Sequence, residues 1–219
     1  MIAGQKGYGL NGLQNALFPI DEIYITQGEN TGTSHVGMYA IDFVGWDPQT
    51  GQTGNYHYPY YAPFDCELIQ YHYEEIVWQS LTSVNRIDGT IGIVTISFGH
   101  DNDRSRPVGM IKRQGELIGN TGTYKYGGGS VGDHVHMEVV AGAYDGWITT
   151  VQGYDALKGN THIYNVLGVN DTTIYNGLGY NWRSFTHNNP TPPTPPHPAG
   201  MIKGQFPWVL YARKLRTRQ

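Results

Sequence analysis

Punctuation by glycine most constrains this chain. Its 219 residues contain 30 Gly, 12 Pro and 17 Tyr, and no stretch keeps a helical period. That composition excludes helical bundles and coiled coils, which are rich in Ala, Leu, Glu and Lys. Between the breaks lie short runs rich in β-branched and aromatic residues: IYIT (23–26), YAIDFV (39–44), ELIQYHY (67–73), IGIVTISFG (91–99) and HVHMEVV (134–140). Clusters such as QGENTGTS, GWDPQTGQTGN, GHDNDRS and GNTGTYKYGGGS separate them. Short strands bounded by Gly, Asn and Asp predict an antiparallel all-β domain with long loops over roughly 20–150, with few or no helices.

The flanks read differently. Residues 1–19 read as a loose lead-in. Residues 151–187 stay rich in Tyr, Asn and Gly, and fit either extra strands of the same domain or a small appendage. NNPTPPTPPHPAG (188–200) reads as a semi-rigid extended linker. Residues 201–219 form an aromatic tip with five basic residues, Lys203, Arg213, Lys214, Arg216 and Arg218, and no acid. Of 14 Lys and Arg in all, nine then remain against 18 acids. A body of that sign is a poor partner for nucleic acid, which needs a basic face. The apolar runs fall far short of the ~20 residues that span a bilayer. The single cysteine, Cys66, allows neither an internal disulfide nor a Cys-based zinc site. The N-terminal residues lack the apolar core of a signal peptide, so none is expected.

The histidines carry the chemistry. In Asp133-His134-Val135-His136-Met137-Glu138, a strand directs residues i and i+2 to one face. His134 and His136 therefore project together while Val135 and Met137 face the core. Such a pair is either solvated and hydrogen-bonded or bound by a divalent metal, and imidazole suits zinc. Glu138 shares that face and reads either as a residue orienting a histidine from behind or as a solvated edge residue. Asp42 sits between Ile41 and Phe43. It belongs either to a strand face that meets water or to a partnered inward carboxylate, since burying an unpaired charge is costly. His35 is seven residues earlier, so convergence with Asp42 requires a bend, which Gly37 offers. His100 closes the run IGIVTISFG just before a turn.

In this order the residues resemble the lysostaphin/LytM-type zinc endopeptidases, which cut peptide bonds of bacterial peptidoglycan. The resemblance covers about 20–140, and GELIGNTGT (115–123) followed by a Gly-rich loop and HVHME is similar to the family's approach to its HxH strand. It implies that His35, Asp42 and His136 bind Zn²⁺, and that His100 and His134 work in catalysis on a peptide substrate through a zinc-bound water. Most relatives have three residues between the first His and the Asp, whereas this chain has six. The longer spacing resembles the tail-knob endopeptidases of small podoviruses. It therefore implies a bacteriophage protein, either in the virion tail, with tail proteins contacted through the C-terminal tip, or released as a lysin into the host wall. A non-catalytic wall-binding or structural virion protein on the same fold is the alternative. A cupin-like oxygenase would want its Glu four to five residues beyond HxH, and Glu138 comes too soon. His57 and His72 read as surface or stacking residues, and His162, His187 and His197 lie outside the resemblance.

Overall fold

The structure, a computed structural model, describes residues 4–20, 22–32, 34–44, 46–47, 52–53, 57–167 and 181–184. The Pro-rich linker and the basic tip lie outside the described residues. Within them the chain is all-β and antiparallel. Its main sheet has nine strands. In spatial order, eight of them are Ile111–Lys112, Cys66–His72, Glu75–Ser80, Thr95–Gly99, Ser130–Val140, Ala40–Val44, Glu22–Gln27 and Asn181–Ser184. Gly122–Tyr124 pairs with the first half of Ser130–Val140. Among the described residues the one helical element is a short 3₁₀ turn, Ile163–Asn165. No helix among the described residues is long and apolar enough to cross a membrane.

Alternation along the strands explains the core. Val135, Met137 and Val139 are fully buried, as period-2 patterning requires. They meet Phe43, Ile41, Phe98, Ile96 and Trp78 in one cluster. Tyr60 stacks on Phe98 at 4.4 Å between ring centroids, and its hydroxyl donates to Asp101 Oδ2 at 3.1 Å. A buried tyrosine thus keeps a polar partner. Cys66 is a free, fully buried thiol whose pKa is pushed up by burial.

Three parts of the fold depart from the simple reading. The run 91–99 is two strands, Ile91–Gly92 and Thr95–Gly99. Between them, Arg86 Nη2 donates to the Ile93 carbonyl and Val94 N–H donates to Ser80 Oγ. YHYEEIVWQ conceals a hairpin, Cys66–His72 to Glu75–Ser80. Its turn uses Tyr73 at φ +47 rather than a glycine. Arg104 grips the carbonyls of Tyr73, Glu74 and Glu75 and lies over the rings of Tyr71 and Tyr124. The third departure is the packing of 14–20 into the domain, with Ala16, Phe18 and Ile20 in the main core cluster. Residues 155–167 pack against the same body, and Asn181–Ser184 adds an edge strand to the sheet.

Gln114 fastens the N-terminal segment. It is buried, accepts from Gly7 N–H at 3.0 Å and donates to the Asn15 and Pro63 carbonyls at 2.7 Å each. Gln114→Ala removes its hydrogen bonds to the buried Gly7 amide and Asn15 carbonyl and one of the two to the Pro63 carbonyl, which keeps the Leu17 amide. We expect a loss of about 2–4 kcal/mol, because unpaired buried polar groups cost roughly 1–3 kcal/mol each and part of that is recovered by relaxation. Guanidinium unfolding reads this as a lower midpoint at unchanged slope.

Candidate metal centre and catalytic cleft

Strand register builds the centre. Ser130–Val140 pairs with Ala40–Val44 so that His136 lies directly opposite Asp42. Opposed residues on neighbouring strands have Cβ atoms about 5 Å apart on one face. Asp42 Oδ1 lies 2.9 Å from His136 Nδ1. His35 arrives from outside the sheet: Met38 N–H donates to the His35 carbonyl at 2.9 Å, closing a turn. Gly37 takes φ +84 in that turn, where side chains are strained. The bend brings His35 Nε2 to 3.2 Å from Asp42 Oδ1 and 3.1 Å from His136 Nδ1.

The loop that delivers His35 is held from three sides. His35 Nδ1–H donates to the Gly28 carbonyl at 3.0 Å. Gln27 Nε2 donates to the Thr31 carbonyl and to Ser34 Oγ. The Glu29 carboxylate, buried beside Gly28, accepts from His162 Nδ1 and from Ile163 N–H at 2.9 Å. Burial raises the Glu29 pKa, and these two donors work against that rise.

These bonds decide which ring nitrogens face inward. A carbonyl only accepts, so His35 Nδ1 carries its proton and Nε2 presents a lone pair. When neutral and donating Nε2–H to Glu138 Oε1 at 3.3 Å, His136 also turns an Nδ1 lone pair inward. Two lone pairs and a carboxylate oxygen therefore face one another within 2.9–3.2 Å. Only a cation relieves that arrangement. A tetrahedral zinc with bonds of about 2.0–2.1 Å has edges of roughly 3.4 Å, close to these separations. Without metal, a proton must do the same work. Burial opposes charge on His136, but Asp42 and Glu138 outweigh it and push this imidazole well above its usual pKa. Burial likewise works to raise the Asp42 carboxyl, yet His136 and His35 hold it well below the usual carboxylate range. The donor set fits zinc, and these three are the one such group among the described residues.

Glu138 is fully buried, not a solvated edge residue. Its Oε1 receives His136, while its Oε2 accepts from Leu157 N–H at 2.9 Å and Asn160 Nδ2 at 2.6 Å. One carboxylate thus orients the His136 imidazole and anchors the segment after the HxH strand.

His100 and His134 form a second pair, with ring centroids 4.3 Å apart. His100 Nδ1–H donates to the Tyr124 carbonyl at 2.8 Å, and His134 Nδ1–H to the Gly132 carbonyl at 2.6 Å. Each Nε2 is then the acceptor nitrogen of the neutral ring, without a hydrogen-bond partner among the described residues. Burial, reinforced by His134, lowers the His100 pKa to about 4, so this ring is neutral at neutral pH. His100 sits at φ +71 just past the end of Thr95–Gly99. Gly122 lies against its carbonyl, where a Cβ would collide with backbone. The next residue, Asp101, is buried and ties the loop down by accepting from Tyr60, Arg106 and the Asp103 and Asn120 amides.

Asp42, His136, His100 and His134 line one cleft of about 310 Å³. The sequence reading passed over Glu75, which also lines it. Glu75 is buried, burial raises its carboxyl to about 8, and its Oε2 has no hydrogen-bond partner among the described residues. The pattern EE after a tyrosine gave no signal, because its position depends on the Arg104-held turn. His72 stacks on Trp147 at 4.4 Å and 15° on the cleft wall. His57 is exposed, with its Nδ1–H donating to the Thr121 carbonyl.

No family model matches the sequence. A zinc-containing peptidase from Vibrio cholerae aligns with 61% of this chain and 42% of its own, at 18% identity and a TM-score of 0.37. The chain is 41% identical over 182 residues to Morphogenesis protein 1 of Bacillus phage B103, a match that covers 81% of this chain and 46% of that protein. The chain therefore spans about half the length of the curated relative it matches.

Proposed function

We propose that this chain is the zinc endopeptidase part of a bacteriophage virion protein and hydrolyses peptide bonds of bacterial peptidoglycan. The observation that carries this reading is the convergence of His35 Nε2, Asp42 Oδ1 and His136 Nδ1, with outer hydrogen bonds that leave all three as acceptors. The similarity to a phage morphogenesis protein supports the virion setting.

His35, Asp42 and His136 would hold the zinc, which would supply an acidified water and a polarised scissile carbonyl. The chain supplies the rest. His100, neutral and with Nε2 free, accepts the proton of the attacking water and returns it from Nε2 to the leaving amine; His134 offers the same free Nε2 for that role, and whichever ring has taken the proton steadies the oxyanion. Glu138 and the Gly28 carbonyl keep the two ligand imidazoles in the required tautomers. No serine or cysteine nucleophile is needed, and Cys66 is buried away from solvent.

A second reading keeps the fold without turnover, as a structural virion part that binds wall peptide. The name of the phage relative favours it. Metal content and catalysis separate the two. His136→Ala should abolish zinc binding and the lysis of purified Gram-positive walls. His134→Ala should keep near-stoichiometric zinc while turnover falls roughly 10²–10⁴-fold. Full lysis by His134→Ala, or no lysis by zinc-replete wild type, overturns the catalytic reading.

Glu138→Gln keeps an oxygen for one contact but cannot serve His136, Leu157 and Asn160 as a carboxylate does. Zinc affinity, read by competition with a chromogenic chelator, should fall about 10–100-fold. Unchanged affinity would remove Glu138 from the centre.

A further inference from the structure

The segment that follows the HxH strand forms one wall of the cleft. Trp147–Thr149 pairs with Asp155–Leu157 as a hairpin. From it Trp147, Tyr154 and Asp155 line the same cavity as Asp42, His136 and His100. The hairpin is fixed rather than loosely attached. Glu138 holds the Leu157 amide, the Lys158 amide donates to the Gly146 carbonyl, and Gln79 receives the Tyr144 amide. Its indole is backed by a second ring: His72 lies parallel to Trp147 and is pinned by Asp155 Oδ2 at 2.9 Å, with Thr149 on the other carboxylate oxygen. The same cavity is lined by Tyr73, which packs on His72 at 4.3 Å and against Tyr126, and by Glu74 and Lys125, which make no ion pair among the described residues. Tyr154 and Tyr73 are each about half exposed.

A preorganised aromatic shelf with polar groups at its rim suits a ligand with one apolar and one hydrogen-bonding aspect. Wall stem peptides are built of alanine, acidic and diamino residues and offer no large apolar face. The CH face of a pyranose does. We infer that the Trp147–Tyr154 hairpin is a sugar subsite, seating an N-acetylated amino sugar of the glycan to which the scissile peptide is attached. This inference rests on the peptidoglycan reading above and adds that glycan-linked peptide is the preferred substrate.

The test uses triacetylchitotriose as probe and the full chain with metal removed by chelator, so that binding is read apart from catalysis. Titration should shift the Trp147 indole resonance saturably. Trp147→Ala and, because Tyr154 is exposed and tolerates truncation, Tyr154→Ala should each weaken binding about tenfold, the order of one well-placed stacking contact. With zinc restored, wild type should show a lower KM for a glycan-linked muropeptide than for the same peptide freed of sugar, and Trp147→Ala should lose that difference. No sugar binding up to the solubility limit, binding indifferent to both substitutions, or equal KM values for the two substrates in wild type would overturn the subsite. Failure of the peptidase reading shows separately, as zinc-replete wild type that cleaves neither substrate.

Discussion

The register between Ala40–Val44 and Ser130–Val140 is the constraint on which the site depends. It sets Asp42 opposite His136 and buries Phe43, Ile41, Val135 and Met137 behind them. A slip of one residue would turn the carboxylate into the core and the apolar side chains into the cleft. Core packing and the pairing of Asp42 with His136 are therefore enforced by the same hydrogen-bond ladder. The hydrophobic effect, acting on one face, aligns the charged groups on the other.

Regular strands cannot deliver every group to one point, and the remaining groups come on loops held by buried polar contacts. His35 is presented by a segment tied through Gln27, Gly28 and Glu29. His100 leaves its strand in a left-handed conformation and is fixed by Tyr124 in front and Asp101 behind. These contacts put the cost of ordering into the fold itself, so the positions of His35 and His100 are set by the folded chain. Glu29 and Glu138 also bind the segment beyond residue 140 to the two halves of the centre. The later part of the chain thereby completes the cleft.

The sequence was informative where chemistry is local. Runs rich in β-branched and aromatic residues marked five of the nine main strands, and HxH on a strand placed two imidazoles on one face. Glu138 could be put on that face but not assigned, because its partners Leu157 and Asn160 lie about twenty residues away and nothing local announces them. The run 67–73 marks only the first strand of the Cys66–Ser80 hairpin, and because the turn lacks glycine nothing local announces the second, Glu75–Ser80. An arginine some thirty residues later, Arg104, stabilises the turn by binding three carbonyls. The lead-in looked loose because its anchor, Gln114, is a single polar residue a hundred positions away.

By itself, then, the sequence determined an antiparallel β scaffold and the inventory of His and Asp side chains able to meet a metal, since strand periodicity and residue chemistry are written within a few neighbours. Only the tertiary structure decided which ring nitrogens face inward, how the His35 loop closes on Asp42, and that a late hairpin walls the cleft. Those outcomes follow from pairings between residues up to 134 positions apart, whose stability depends on burial that no local window contains.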